Sequence, residues 1–302
     1  MKRVLTAVVL VPLVLLVVFK APLWVFAVVV AVIAILAIHE YLNIARGYGI
    51  EPLRWPTYVL SLFLIVRSFA YADNSFLAGN FLWLTEFFQG WSIFLMVSLI
   101  FGIPLVFRHE MRMALAASGI SAFGLFYIAA PMATLVLFRR SPYEAVFLVF
   151  ILLSVWAGDT AAYYVGRSIG RHKLAPIVSP KKTWEGAIAS VMASVAVALI
   201  VFHFDGPIRG MFTQQKLSFY TPVGASANLP VIHLVILGIV ANIAAQLGDL
   251  FESAMKRGAQ IKDSGSLLPG HGGILDRIDA LLFAIPVVWY YASFQAYFFE
   301  SQ

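Results

Sequence analysis

Residues 230–279 read PVIHLVILGIVANIAAQLGDLFESAMKRGAQIKDSGSLLPGHGGILDRID. The first part, 230–251, is an apolar run of the length that crosses a bilayer as a helix, about 20 residues. From Ser253 to Asp279 the character reverses, with four cations, a histidine and three acids crowded among glycines. Charges set in hydrocarbon cost on the order of 2.5–3.5 kcal/mol each at a helix centre, so a dense cluster at the edge of an apolar span marks chemistry rather than packing.

Outward from this stretch the apolar pattern repeats. Candidate spans lie at 4–19, 21–42, 57–72, 91–107, 115–138, 143–165, 186–203, 230–251 and 280–299. With 61% hydrophobic and 12% charged residues and a mean hydropathy of +0.88, the chain reads as an all-α polytopic integral membrane protein with about nine transmembrane helices. The run after Met1, Lys2 and Arg3 ends at Phe19 and Lys20 without a small-residue cleavage pattern, so it reads as a retained span. The chain has no cysteine, which excludes disulfides, thiolate zinc sites and a cysteine nucleophile, and any metal must be held by oxygen or imidazole.

Placing Lys2 and Arg3 in the cytoplasm assigns a side to every later loop. Of the 21 Lys and Arg residues, fifteen then fall on the cytoplasmic side: Lys2, Arg3, Arg46, Arg54, Arg108, Arg112, Arg167, Arg171, Lys173, Lys181, Lys182, Lys256, Arg257, Lys262 and Arg277. Lys20, Arg139, Arg140, Arg209 and Lys216 fall outside, and Arg67 lies within a span. That asymmetry predicts an N-in, C-out chain. Cations in short loops between apolar runs answer to topology and anionic lipid, which argues against a nucleic-acid partner. The organisation expected is a scaffold of helices over 1–142 and a catalytic region over 143–302, with cytoplasmic loops at 166–185 and 252–279.

Asp249 closes the eighth run, and Ser253, Lys256 and Arg257 follow at i+4, i+7 and i+8, on one face if helical. An isolated acid there is as readily half of a structural ion pair as a ligand; its company favours the ligand. Glu252 and Lys256 have the spacing of a helix surface pair, so Glu252 receives no catalytic role. After the break at Pro269 to Gly273 come Asp276, Arg277 and Asp279. Gly272 and Gly273 permit close backbone approach, and free amides at a helix N-terminus attract anions, so a phosphate is expected there. Asp276 is the favoured metal ligand. Asp279 complements the helix dipole and, with Asp159, is a second choice for the metal shell. If the eighth and ninth helices pack together, Asp249 and Asp276 converge, and paired carboxylates suit Mg²⁺. Lys256, Arg257, Lys262 and Arg277 suit a triphosphate, although each alone is equally a topology determinant. His271 is a phosphate donor or general acid, while a lone histidine is more often structural. No P-loop pattern is present. In the second loop, Asp159 is an acid inside an apolar run, and SPKKTWEG from Ser179 to Gly186 offers Ser179, Lys181, Lys182 and Thr183 either to a phosphate headgroup or to the cap of the next helix.

The segment 253–279 resembles the signature of the phosphatidate cytidylyltransferases, also called CDP-diacylglycerol synthases. Its specified positions are met by Ser253, Met255, Lys256, Arg257, Lys262, Asp263, Gly265, Leu268, Pro269, His271, Gly272, Gly273, Ile274, Asp276, Arg277, Ile278 and Asp279, while Ser264 falls where the signature accepts any residue. SPKKTWEG and GDTAAYYVGR, 158–167, also look like the family, so the resemblance covers roughly the C-terminal half. It implies transfer of CMP from CTP to phosphatidic acid with release of pyrophosphate, dependence on Mg²⁺ with a second cation for which K⁺ is the candidate, a homodimer, and a site on the cytoplasmic face of the bacterial inner membrane. By the same resemblance Asp249 and Asp276 bind Mg²⁺; Lys256, Arg257, Lys262, His271 and Arg277 hold the triphosphate or pyrophosphate, with Ser253, Gly272 and Gly273 at the substrate; and Lys181 and Lys182, with Ser179 and Thr183, take the lipid headgroup. Two other readings share the apolar spans: a CTP-dependent lipid kinase, separated by its products, and a transporter, which would scatter charge through both halves. The first 140 residues carry little besides Glu40 and Arg67 within spans.

Overall fold

The computed structural model describes residues 2–73, 91–107, 111–212, 230–267 and 272–299. Among these, seven helices are long and apolar enough to cross a membrane: Leu23–Gly47, Arg54–Asp73, Met111–Leu137, Pro142–Ser168, Trp184–His203, Val231–Gly258 and Leu275–Phe294. The protein is a polytopic membrane protein. The expected spans at 4–19 and 91–107 are also helical, but their described apolar stretches, Val11–Lys20 and Ser92–Val106, are shorter. Arg108 and Lys216, used in the charge count, lie outside the described residues.

The chain divides into two compact units. The first joins Met1–Leu137 to Met255–Arg277 and holds α1 (Lys2–Lys20), α2 (Leu23–Gly47), α3 (Arg54–Asp73), α4 (Trp91–Val106), α5 (Ala114–Gly124) and α6 (Ala130–Leu137). Helix α2 buries Val30, Ala34, Ala37, Ile38, Tyr41, Leu42 and Ala45, the three-and-four spacing that fills one helical stripe. The Tyr41 hydroxyl donates to the carbonyl of Ile120 at 3.0 Å, and a Cβ on Gly124 would sit 3.0 Å from the Tyr41 ring. The chain then widens into a π turn over Leu125–Ala129.

The second unit joins Phe138–Ala254 to Ile278–Gln302. Helix α7 (Pro142–Ser168) starts on a Ser141 cap whose side chain accepts from the Glu144 amide, with Pro142 in the first turn. Between α7 and α8 (Trp184–His203) the chain forms an antiparallel hairpin, β1 (Lys173–Ala175) and β2 (Ser179–Thr183), the one departure from an all-helical reading among the described residues. A short helix, α9 (Asp205–Gly210), follows. Helix α10 (Val231–Gly258) lies so close to α8 that a Cβ on Gly238 would stand 2.7 Å from Val195 Cα. Down this face Asn242 donates to Ser190 at 2.9 Å and Ser194 at 2.7 Å, and Gln246 donates to the Ala187 carbonyl at 3.1 Å. Positions 242, 246 and 249 recur at i, i+4 and i+7, so this buried polar seam leads one turn on to Asp249. Helix α11 (Leu275–Phe299) completes the elements; its first three residues belong to the first unit and the rest to the second.

Candidate active site

In the second unit the hairpin and α10 bring two expected site residues together. Lys182 on β2 places its ammonium 2.6 Å from Asp249 Oδ2, with about a quarter of the lysine and a third of the aspartate side chain exposed. Ser253, one turn further along α10, donates to Asp249 Oδ1 at 3.4 Å. Lys181 next door is exposed. Thr183, expected at a lipid headgroup, is instead buried, and its hydroxyl oxygen accepts from the Gly186 amide at 3.2 Å as the N-cap of α8. Ser179 is half-buried at the start of β2. The hairpin is clasped at its base by Glu185, which accepts from the backbone amide of His172 at 3.2 Å and lies 2.7 Å from its Nδ1. Asp159 is exposed on α7, and Asp279 in α11 accepts from the Ala280 amide at 2.8 Å.

In the first unit the turn after α10 is built from its own backbone. Ile261 N–H donates to Lys256 O and Gln260 N–H to Arg257 O, with Gln260 at φ 60°, the paired bonds and left-handed residue of a Schellman C-cap. The chain then returns to α11, where Asp276 is the hub. Its Oδ2 accepts from the Ser264 amide at 3.0 Å and the Gly273 amide at 2.8 Å, and its Oδ1 pairs with the Lys256 ammonium. Both side chains of that ion pair are almost wholly buried, 11% and 7% exposed. Lys256, expected on a triphosphate, therefore serves a carboxylate. Arg257, Lys262 and Arg277 are exposed around it. His271, with Leu268 and Pro269 of the signature, lies outside the described residues.

At the N-terminus of α11, where a phosphate was expected, the structure places Glu40. This carboxylate, 3% exposed in the middle of α2, accepts from the Ser264 hydroxyl at 2.9 Å, the Ile274 amide at 3.0 Å and the Leu275 amide at 2.8 Å. With Gly273 N–H on Asp276 and Asp276 N–H on the Ser264 hydroxyl at 3.3 Å, the amides from Gly273 to Asp276 all have acceptors within the protein. Gly273 is needed to let those acceptors in: a Cβ there would stand 2.2 Å from Ser264 Oγ and 2.3 Å from Glu40 Oε2. At Gly272, φ is +78° and a Cβ would meet Asp276 Oδ2 at 2.5 Å. Both glycines leave room for protein carboxylates, Asp276 at Gly272 and Glu40 at Gly273.

The profile described as the cytidylyltransferase family matches residues 1–295 of the chain. The chain belongs to the cytidylyltransferase family. It is 32% identical to a phosphatidate cytidylyltransferase of Haemophilus influenzae over 97% of this chain and 98% of that one. Over shorter stretches it is 39% identical to the phosphatidate cytidylyltransferase of Brucella suis, covering 58% of this chain and 57% of that one, and 35% identical to that of Bacillus subtilis, covering 49% and 48%.

Among the described cations of the signature and the hairpin, Arg257, Lys262 and Arg277 in the first unit and Lys181 in the second are exposed. Among the described residues no three His, Asp or Glu side chains gather into a metal-binding group. Mg²⁺ asks for less, since it is usually held by one or two carboxylates with substrate phosphates and water completing its shell. Asp249 in the second unit and Asp276 in the first are each a carboxylate of that kind, paired here with Lys182 and Lys256 respectively. Glu40, Ser264, Asn242 and Gln246 are the residues that sequence reasoning passed over. For Glu40 the signal was present, since it is an acid inside an apolar run by the same rule that singled out Asp159. Ser264 gave none.

Proposed function

We propose that the protein is a phosphatidate cytidylyltransferase, transferring CMP from CTP to phosphatidic acid to give CDP-diacylglycerol and pyrophosphate. The observation that carries this reading is its likeness, end to end, to the Haemophilus influenzae phosphatidate cytidylyltransferase. The chemistry of the exposed residues supports it. Arg257, Lys262 and Arg277 bind the triphosphate, with His271 donating to the departing pyrophosphate, and Lys181 takes the phosphatidate headgroup beside Ser179. Asp249 and Asp276 are the Mg²⁺ carboxylates. Bound there, the metal would offset charge on the triphosphate as the bond to pyrophosphate breaks. Lys182 and Lys256 hold the two carboxylates in position through their ion pairs.

A phosphatidate oxygen attacks the α-phosphorus in line with the leaving pyrophosphate. A phosphate monoester is already largely dianionic at neutral pH, its second pKa being about 6, so no general base is required and the chain's residues work by positioning and electrostatics. The reaction takes place on the cytoplasmic side of a nine-span, N-in, C-out protein in the bacterial inner membrane, which works as a homodimer. Purified protein should release pyrophosphate from CTP only when phosphatidate and Mg²⁺ are both present; release that ignores the lipid would defeat the reading.

A further inference from the structure

We infer that Glu40 is a positioning residue for nucleotidyl transfer, fixing the signature loop from the N-terminal part of the chain. The inference rests on the cytidylyltransferase reading. A buried carboxylate is costly to desolvate and persists only when its oxygens are well served. Here they accept three hydrogen bonds, all from the segment that carries Asp276. Ser264 is the link: its hydroxyl donates to Glu40 while its amide donates to Asp276, and Asp276 in turn holds Lys256. Glu40, Ser264, Asp276 and Lys256 thus form one chain of contacts, and a rotation at either end is felt at the other.

The same helix grips the far side of the loop. Beyond Glu40, Tyr48 just past the end of α2 donates to the Met255 carbonyl at 2.8 Å, and Gly47 lies so close that a Cβ there would be 2.9 Å from that of Ala259. Helix α2 therefore holds the segment at both ends, near Lys256 and near Asp276. Apolar bulk at position 40 would leave the Ser264 hydroxyl and the Ile274 and Leu275 amides without their acceptor. A carboxylate there also fills the N-terminus of α11 with protein anion, which leaves incoming phosphates to the exposed cations.

The test is steady-state kinetics on full-length protein in phosphatidate micelles, comparing wild type with Glu40→Gln, Ser264→Ala and the double variant, alongside thermal melting of each. The amide in Glu40→Gln keeps the volume but offers one acceptor oxygen instead of two, and Ser264→Ala removes only the linking hydroxyl. Small misplacements of reacting groups cost up to about 100-fold in rate. Each single variant should lower kcat by about 10- to 100-fold with the KM for phosphatidate within about twofold, and the double variant should be no worse than the more impaired single one, because the two residues act as a unit. Wild-type kcat per folded molecule in the single variants, or losses that multiply in the double variant and follow melting temperature alone, would overturn the inference. If Glu40→Gln fails to fold, Ser264→Ala decides by the same criterion. An inactive wild type would instead indict the proposed function, since no variant enters that arm.

Discussion

Lys182 on the hairpin and Asp249 on α10 stand 2.6 Å apart, 67 positions distant in sequence and at the foot of the polar seam that begins at Asn242. The pair joins the two segments that carry most of the charge in the second half of the chain. Both side chains keep substantial access to water, so the pair adds little to stability, on the order of 0–1 kcal/mol for contacts of this kind. Its value lies in aiming a carboxylate.

Asp249→Ala should therefore separate activity from stability. Turnover should fall by about 100-fold or more, the scale on which transition-state charge stabilisation is lost, while the melting temperature in detergent moves by only a few degrees. Turnover near the wild-type rate would remove Asp249 from the metal site.

Lys181 and Lys182 should part company. Lys181 is exposed, whereas Lys182 is committed to Asp249. Lys181→Ala should raise the KM for phosphatidate several-fold with little change in kcat, and Lys182→Ala should act chiefly on kcat. Initial rates over a lipid titration at saturating CTP distinguish the two; identical profiles would show that the lysines share one task.

Gly273→Ala should be severe. Its new methyl would have to enter space held by Ser264 and Glu40, and overpacking of this kind costs about 1–3 kcal/mol, with the loss of their hydrogen bonds added. Gly119→Ala in α5 is the control: a Cβ there meets nothing within 4 Å, and alanine favours a helix by up to about 1 kcal/mol. Melting curves should move in opposite directions.

Gln260→Gly should stabilise the turn after α10. Gln260 occupies the left-handed position at φ 60°, where a side chain costs roughly 1 kcal/mol and glycine fits freely. A higher melting temperature with unchanged kcat is expected; a lower one would mean that the glutamine side chain contributes more than its backbone strain.

The spans were legible because the length and apolarity of a run are local properties, and each expected run falls on a helix. The charged cluster at 253–279 was legible because so many ionisable groups stand out against hydrocarbon. What the chain did not disclose is how its polar groups are spent. Glu40 meets Leu275 across 235 positions, a pairing no window of sequence contains. That meeting gives protein acceptors to the amides at which a phosphate was expected. Thr183 and Lys256 have chemistry equally suited to a substrate or to the protein itself, and the protein partners they meet are set by the fold rather than by their type. The hairpin escaped because its strands are too short to show alternation, and Pro180 and two lysines hide the β pattern that remains.

The most direct measurement of the central claim follows the phosphorus atoms of CTP. Purified protein is incubated with phosphatidate, Mg²⁺ and CTP labelled at either the α- or the γ-phosphate, and the lipid is then extracted. The account predicts that the α label enters the lipid phase as CDP-diacylglycerol in proportion to turnover while the γ label leaves as pyrophosphate. A γ label appearing in the lipid, or no lipid-borne label from either nucleotide, would contradict it.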